Sequence, residues 1–182
     1  MPSGKTHDKL TWTFFVPFTF IVWDLIHNIM ITATFAIAYL FSSFMFSGDL
    51  DLVSQQSKRW GVLRWIWIPY RKYISHRSDW SHGILLGTIF RIFYLFILIG
   101  FFYTVIYLIS KNFLPDLNKE LVRTTEHSLL TLNKVSSVYY STIFIGLLCG
   151  AAVHTLADES ASAIKRWYRK FSKKKNKTKK KR

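Results

Sequence analysis

Seven residues with metal-ligand chemistry stand where this chain leaves its apolar stretches. They are His7, Asp49 and Asp51 in SGDLDL, His76 and His82 in SHRSDWSHG, and His154 and Asp158 in HTLAD. Neutral imidazole and carboxylate are the usual donors of zinc, manganese and iron sites. Ionisable groups beside a membrane core are costly unless they are used, so the set reads as a functional site. Asp49 and Asp51 point the same way in extended chain and could chelate one ion or bridge two. Gly48 before them permits a sharp bend. A polar helix end is the alternative. His76 and His82 flank Asp79, which could be a ligand or could fix an imidazole tautomer. Arg77 suits an anionic group, most naturally a phosphate. Asp79 and Arg77 are therefore the candidate catalytic residues. His154 and Asp158, four apart, share one face of a helix and can present two donors to one ion, or can simply bond each other. Glu159 lies about 100° further round. Seven donors exceed the needs of one tetrahedral ion, so the expectation is one or two divalent ions of zinc, manganese or iron.

These groups need elements to bring them together. The chain has 182 residues, half of them hydrophobic and 18% aromatic, which is too apolar for an ordinary soluble domain of this size. The first apolar stretch runs from about Thr11 to Phe46, roughly twice the length of one span. WDLIHN breaks its middle, and an Asp and a His there predict a helical hairpin, down to Trp23 and back from Ile26. Pro17 could kink the first limb. Ile92 to Ile109 carries no charge and fits a span starting near Gly83. Arg91 within that segment is expected to snorkel to the near interface. A fourth segment runs from Val138 to Ala157, with Gly146 and Gly150 at a spacing that lets helices approach. The expected fold is all-α: a multi-pass membrane bundle of about four hydrophobic helices, the first two a hairpin. Residues 1–164 form the metal-binding unit and 165–182 a basic tail without fixed structure.

Two connections remain. In 51–81, Trp60, Trp65, Trp67, Tyr70, Tyr73 and Trp80 alternate with Arg and Lys, the pattern of a headgroup-layer segment, with Pro69 dividing it. The 111–134 stretch is mixed in charge and reads as a solvated connection. Net charge is +15, yet 12 of the 25 basic residues fall in 165–182, which holds no acid. Basic residues set topology, so both termini and the aromatic loop should face the cytoplasm. With a hairpin first, all seven donors then emerge on one face. Asp24 and His27 at the hairpin tip and His127 beside Glu126 read as solvated groups on the other face.

Other chemistry is poorly supported. One cysteine, Cys149, gives no disulfide framework and rules out a thiolate zinc site by number. No secretory signal pattern, glycine-rich phosphate loop or nucleophile elbow is present. The tail suits attraction to anionic lipid headgroups, and nucleic acid is disfavoured because no folded reader accompanies the charge. A transporter would carry its ligands near the bilayer midplane, whereas these fall at helix ends. A membrane scaffold acting through its tail, and a structural or sensory metal protein, stay open.

The combination of THD near the start, SGDLDL, KRWGxLRWIWxPYRxxxxHRSxWSHG and a final HxxxD resembles a family of bacterial membrane-associated metal-binding proteins, familiar from cyanobacteria, over residues 3–160. It is more distantly similar to membrane-bound metal-dependent hydrolases, whose histidines are one residue closer than in HRSDWSH. The resemblance implies His7, Asp49, Asp51, His76, His82, His154 and Asp158 as ligands. It also implies hydrolysis of a phosphoester or lipid-like substrate at a bacterial plasma or thylakoid membrane.

Overall fold

The computed structural model describes residues 4–75 and 78–179, and these contain helices and no strand. Four helices are long and apolar enough to cross a membrane. α1 spans Gly4–Ile26 and α2 Ile29–Met45. The break between them is the expected one and has a local cause. His27 takes φ of 50°, and its Nδ1 donates to the Trp23 carbonyl at 2.9 Å. Asn28 then caps α2, its side chain accepting from Met30 N at 3.0 Å and Ile31 N at 3.2 Å. Asp24 and His27 are exposed at this tip.

α2 leads into a 3-10 turn, Gly48–Asp51, and then the short helices α3 (Gln55–Arg59), α4 (Trp67–Tyr73) and α5 (Asp79–His82). α6 follows at Ile84–Phe113, α7 at Pro115–Lys134, and α8 runs unbroken over Ser137–Lys179. α2 and α8 run parallel in closest contact, with α1 antiparallel along both. Glycine makes that contact possible. A Cβ on Gly146 would stand 2.9 Å from the Phe35 carbonyl oxygen, and one on Gly150 2.6 Å from that of Tyr39. Ser42 Oγ donates to the Leu147 carbonyl at 2.6 Å, and Tyr39 OH to that of Thr11 at 2.9 Å. Backbone acceptors on α8 and α1 are thereby tied to α2.

Four expectations need correction. Residues 115–134 form a helix of 20 residues, started by Pro115 in its first turn, where the missing N–H costs nothing. That helix buries none of its side chains, so the expected solvation holds but the irregular connection does not. Trp67 and Tyr70 do not sit in a headgroup layer: they are 0% and 2% exposed and pack with Phe46 and Leu50. Trp65, Tyr73 and Trp80 do stay exposed. Pro69 lies in the first turn of α4 and does not divide the segment. Burial pushes the Tyr70 phenol up, against the pull of the nearby Arg91 guanidinium. Arg91 itself does not snorkel. It is 1% exposed, donating to the Ser81 carbonyl at 2.6 Å and to Thr88 Oγ1 at 3.1 Å, with its guanidinium over the Phe46 ring.

Gly150→Leu should force α2 and α8 apart. The expected loss is about 1–3 kcal/mol, read as a lower thermal midpoint in detergent. Gly100→Leu, where a Cβ meets open space, should leave the midpoint unchanged. Equal midpoints for the two would remove the role given to the close helix contact.

Candidate metal centre

Side chains with donor atoms come together from four parts of the chain. The first turns of α1 supply His7. The 3-10 turn after α2 supplies Asp49 and Asp51. α5 ends on His82, and α8 carries His154 and Asp158 one turn apart. Each is pinned by local structure. Arg59 Nη2 bonds Asp8 Oδ2 at 2.6 Å, tying the start of α1 to α3. The His82 ring lies on Gly48, where a Cβ would meet it at 3.1 Å. Gly48 is therefore required for close approach, and no positive φ marks it as a bend. Thr155 Oγ1 donates to the His82 carbonyl at 3.1 Å, fixing α5 against α8.

Asp158 stands in the middle. Its Oδ1 is 3.5 Å from His7 Nε2 and its Oδ2 is 3.5 Å from His154 Nε2. Asp49 Oδ1 is 3.6 Å from His154 Nε2 and 3.7 Å from His82 Nε2. The His7 and His154 rings stack at 4.3 Å. Two overlapping trios can each hold an ion: His7, His154 and Asp158, and Asp49, His82 and Asp158.

These contacts are too long for hydrogen bonds, and the groups are withdrawn from water. Asp49 Oδ1, His154 Nε2 and both carboxylate oxygens of Asp158 are buried without a hydrogen-bond partner. A protein rarely leaves such atoms orphaned, because each costs about 1–3 kcal/mol or more when charged. A shared cation resolves the cost. Donors about 2.0–2.1 Å from a tetrahedral ion stand about 3.3–3.4 Å from each other, close to the observed spacings. The residues present therefore fit a divalent ion bound by imidazole and carboxylate, and Asp158 can bridge two.

Asp51 takes a different place from Asp49. Its side chain is 0% exposed, with Oδ2 3.6 Å from Nδ1 of His82, on the side of the ring away from Asp49. That nitrogen bonds Ser81 Oγ at 2.9 Å, so Ser81 orients the ring, and Asp51 stands beside it outside both trios. Gln56, which sequence reading did not single out, lies on the corresponding side of His154, with Nε2 3.2 Å from Nδ1. Gln56 is 5% exposed, a buried amide in a basic segment. Only its polarity amid packed neighbours sets it apart, and no spacing in the sequence announces it. Asp79 opens α5 and belongs to neither trio. It lines a cleft of about 740 Å³ that also touches His82, Asp158, Glu159 and Arg166. His76 and Arg77 lie outside the described residues. His127, on α7, lies beyond the far end of α6.

Helices that gather imidazoles and carboxylates in this way define an all-helical metal-binding protein. The family described as "Uncharacterized metal-binding protein (DUF2227)" matches residues 2–168, and this chain belongs to it. It is also 42% identical over 62 residues to an "Uncharacterized protein" of Aquifex aeolicus (strain VF5), a match covering 34% of this chain and 43% of that relative. The chain thus spans less than half the length of the relative it matches. No solved structure matches it.

Elemental analysis of the purified protein tests the centre. Asp158→Ala should abolish metal retention, since it removes a donor from both trios, and His154→Ala, which opens one, should lower it. Gln56→Leu should weaken affinity by about 10–100-fold, the usual cost of losing an orienting partner. His27→Ala should match the wild type. Undiminished metal in His154→Ala would refute the centre.

Proposed function

We propose that this chain is a multi-pass membrane protein with a cytoplasm-facing centre for one or two zinc, manganese or iron ions, used to hydrolyse a phosphoester or lipid-like ester. The observation that carries this reading is the junction of two features. Buried and half-buried imidazoles and carboxylates converge, and two of them, His82 and Asp158, also form the wall of a cleft. A purely structural ion needs no such cleft. When bound, a divalent ion supplies a Lewis acid that polarises the ester and favours ionisation of water.

The chain's own residues take the remaining roles. Asp79 and Glu159 line the cleft within the reach of a substrate and are the candidate proton acceptors. Arg77 is assigned to the anionic group of the substrate on sequence alone. Ser81 and Gln56 hold His82 and His154 in orientation. Residues 1–164 act as the metal-binding unit. The basic tail at 165–182 draws the inner face toward anionic lipid, at a bacterial plasma or thylakoid membrane. A second reading has its own support. His7, His154 and Asp158 are all buried, so one ion could staple α1 to α8 without catalysis, in a structural or sensory role.

Two measurements decide between these. Metal-loaded protein in detergent is tested on a panel of phosphomonoesters and phosphodiesters. Turnover is expected, and Asp79→Asn should lower kcat by about 10²–10⁴-fold with metal content intact. A metal-bearing wild type that turns over nothing would leave the staple reading. For topology, single cysteines are placed at Asn176 and at Glu126 in a Cys149→Ser background. An impermeant thiol reagent applied to the outside of cells should label only the second. Labelling of the first would reverse the orientation.

A further inference from the structure

The cleft beside the metal centre has a far end, and one residue there has no role in the reading above. Arg166 lines the cleft together with Asp158, on the same helix. Asp158, Ser162 and Arg166 follow at intervals of four, so they share one face of α8. Eight residues of helix place Arg166 about 12 Å beyond Asp158 along the axis. Side chains on a helix lean toward its N-terminus, so the long Arg166 side chain leans back over the cleft toward the metal end. Metal and guanidinium then form two cationic points at opposite ends of one polar groove.

The rest of the lining agrees with a polar occupant. Among the described lining residues, Ser78, Thr155, Ser160 and Ser162 offer hydroxyls beside Ile84 and Ala163. The acidic groups impose a condition. Asp79, Asp158 and Glu159 outnumber Arg166 among the described lining residues, and a cation at the metal end would offset them.

We infer that the cleft binds a substrate with two anionic groups in tandem, of the diphosphate kind. One phosphoryl group lies at the metal end and the second pairs with Arg166. This rests on the metal-centre reading and narrows it from phosphoesters and lipid-like esters to polar molecules with paired anions. Guanidinium suits the task because it forks onto two oxygens at once.

The test uses the full chain in detergent, loaded with zinc or manganese, and measures binding of inorganic phosphate and of methylenediphosphonate by calorimetry, with metal content checked afterwards. The wild type should bind the diphosphonate at least about tenfold more tightly than phosphate, and metal-free protein should bind neither. Arg166→Gln should lose the diphosphonate advantage while keeping its metal and its phosphate affinity. Ser162→Glu, which sets an acid one turn before Arg166, should weaken diphosphonate binding in the same way. Equal binding of the two probes by metal-bearing wild type, or a diphosphonate affinity unchanged in both variants, would overturn the assignment of Arg166 and leave the metal centre standing. A wild type that retains no metal would overturn the metal centre, and this inference with it.

Discussion

Two carboxylates side by side, one buried and one half-buried, are the constraint from which the rest of this structure follows. Asp49 and Asp158 offer ligand atoms within 4.8 Å of each other, together with His82. Taking such charges out of water costs several kcal/mol each unless compensating charge meets them. The neighbouring bonds are accordingly spent on geometry: Arg59 secures Asp8, Thr155 secures the His82 carbonyl, and Gly48 admits the His82 ring. Close contact of α2 with α8 at Gly146 and Gly150 does the same on a larger scale, since it sets where His154 and Asp158 stand relative to the turn after α2.

A second layer surrounds the donors. Asp51 lies behind His82 and Gln56 behind His154. Arg91 holds the Ser81 carbonyl, one residue from His82, while packed over Phe46. The aromatic cluster of Phe46, Trp67, Tyr70 and Tyr94 forms the floor beneath this layer, with Trp67 and Tyr94 centroids 5.5 Å apart. What reads in sequence as a membrane-surface loop is in part a folded cap over the metal-bearing end of the bundle.

Some of this was legible from residue types and some was not. The hairpin could be read because Asp24, His27 and Asn28 interrupt an apolar run where nothing else can pair them. α6 could be read because 92–109 has no charge at all. The helix at 115–134 was hidden because charged and apolar residues both recur along it, and solvation alone does not distinguish a helix from a loop. Trp67 and Tyr70 were misplaced because an amphipathic aromatic suits an interface and a core equally well. The deciding partners, Phe46 and Tyr94, lie more than twenty residues away in sequence. The same holds for Gln56 and His154, whose meeting is a tertiary fact with no local trace. For the donor set, sequence spacing suggested which residues carry the chemistry. It did not separate Asp49, which stands between the Nε2 atoms of His82 and His154, from Asp51, which lies on the Nδ1 side of His82.

The wide separation of the donors along the chain also bears on how the molecule is made. His7, Asp49 and His82 leave the ribosome well before His154 and Asp158, which follow only on α8. A nascent chain that stops short of residue 154 lacks a donor in both trios, so it cannot close either one. Closure of the centre therefore waits until α8 has been made.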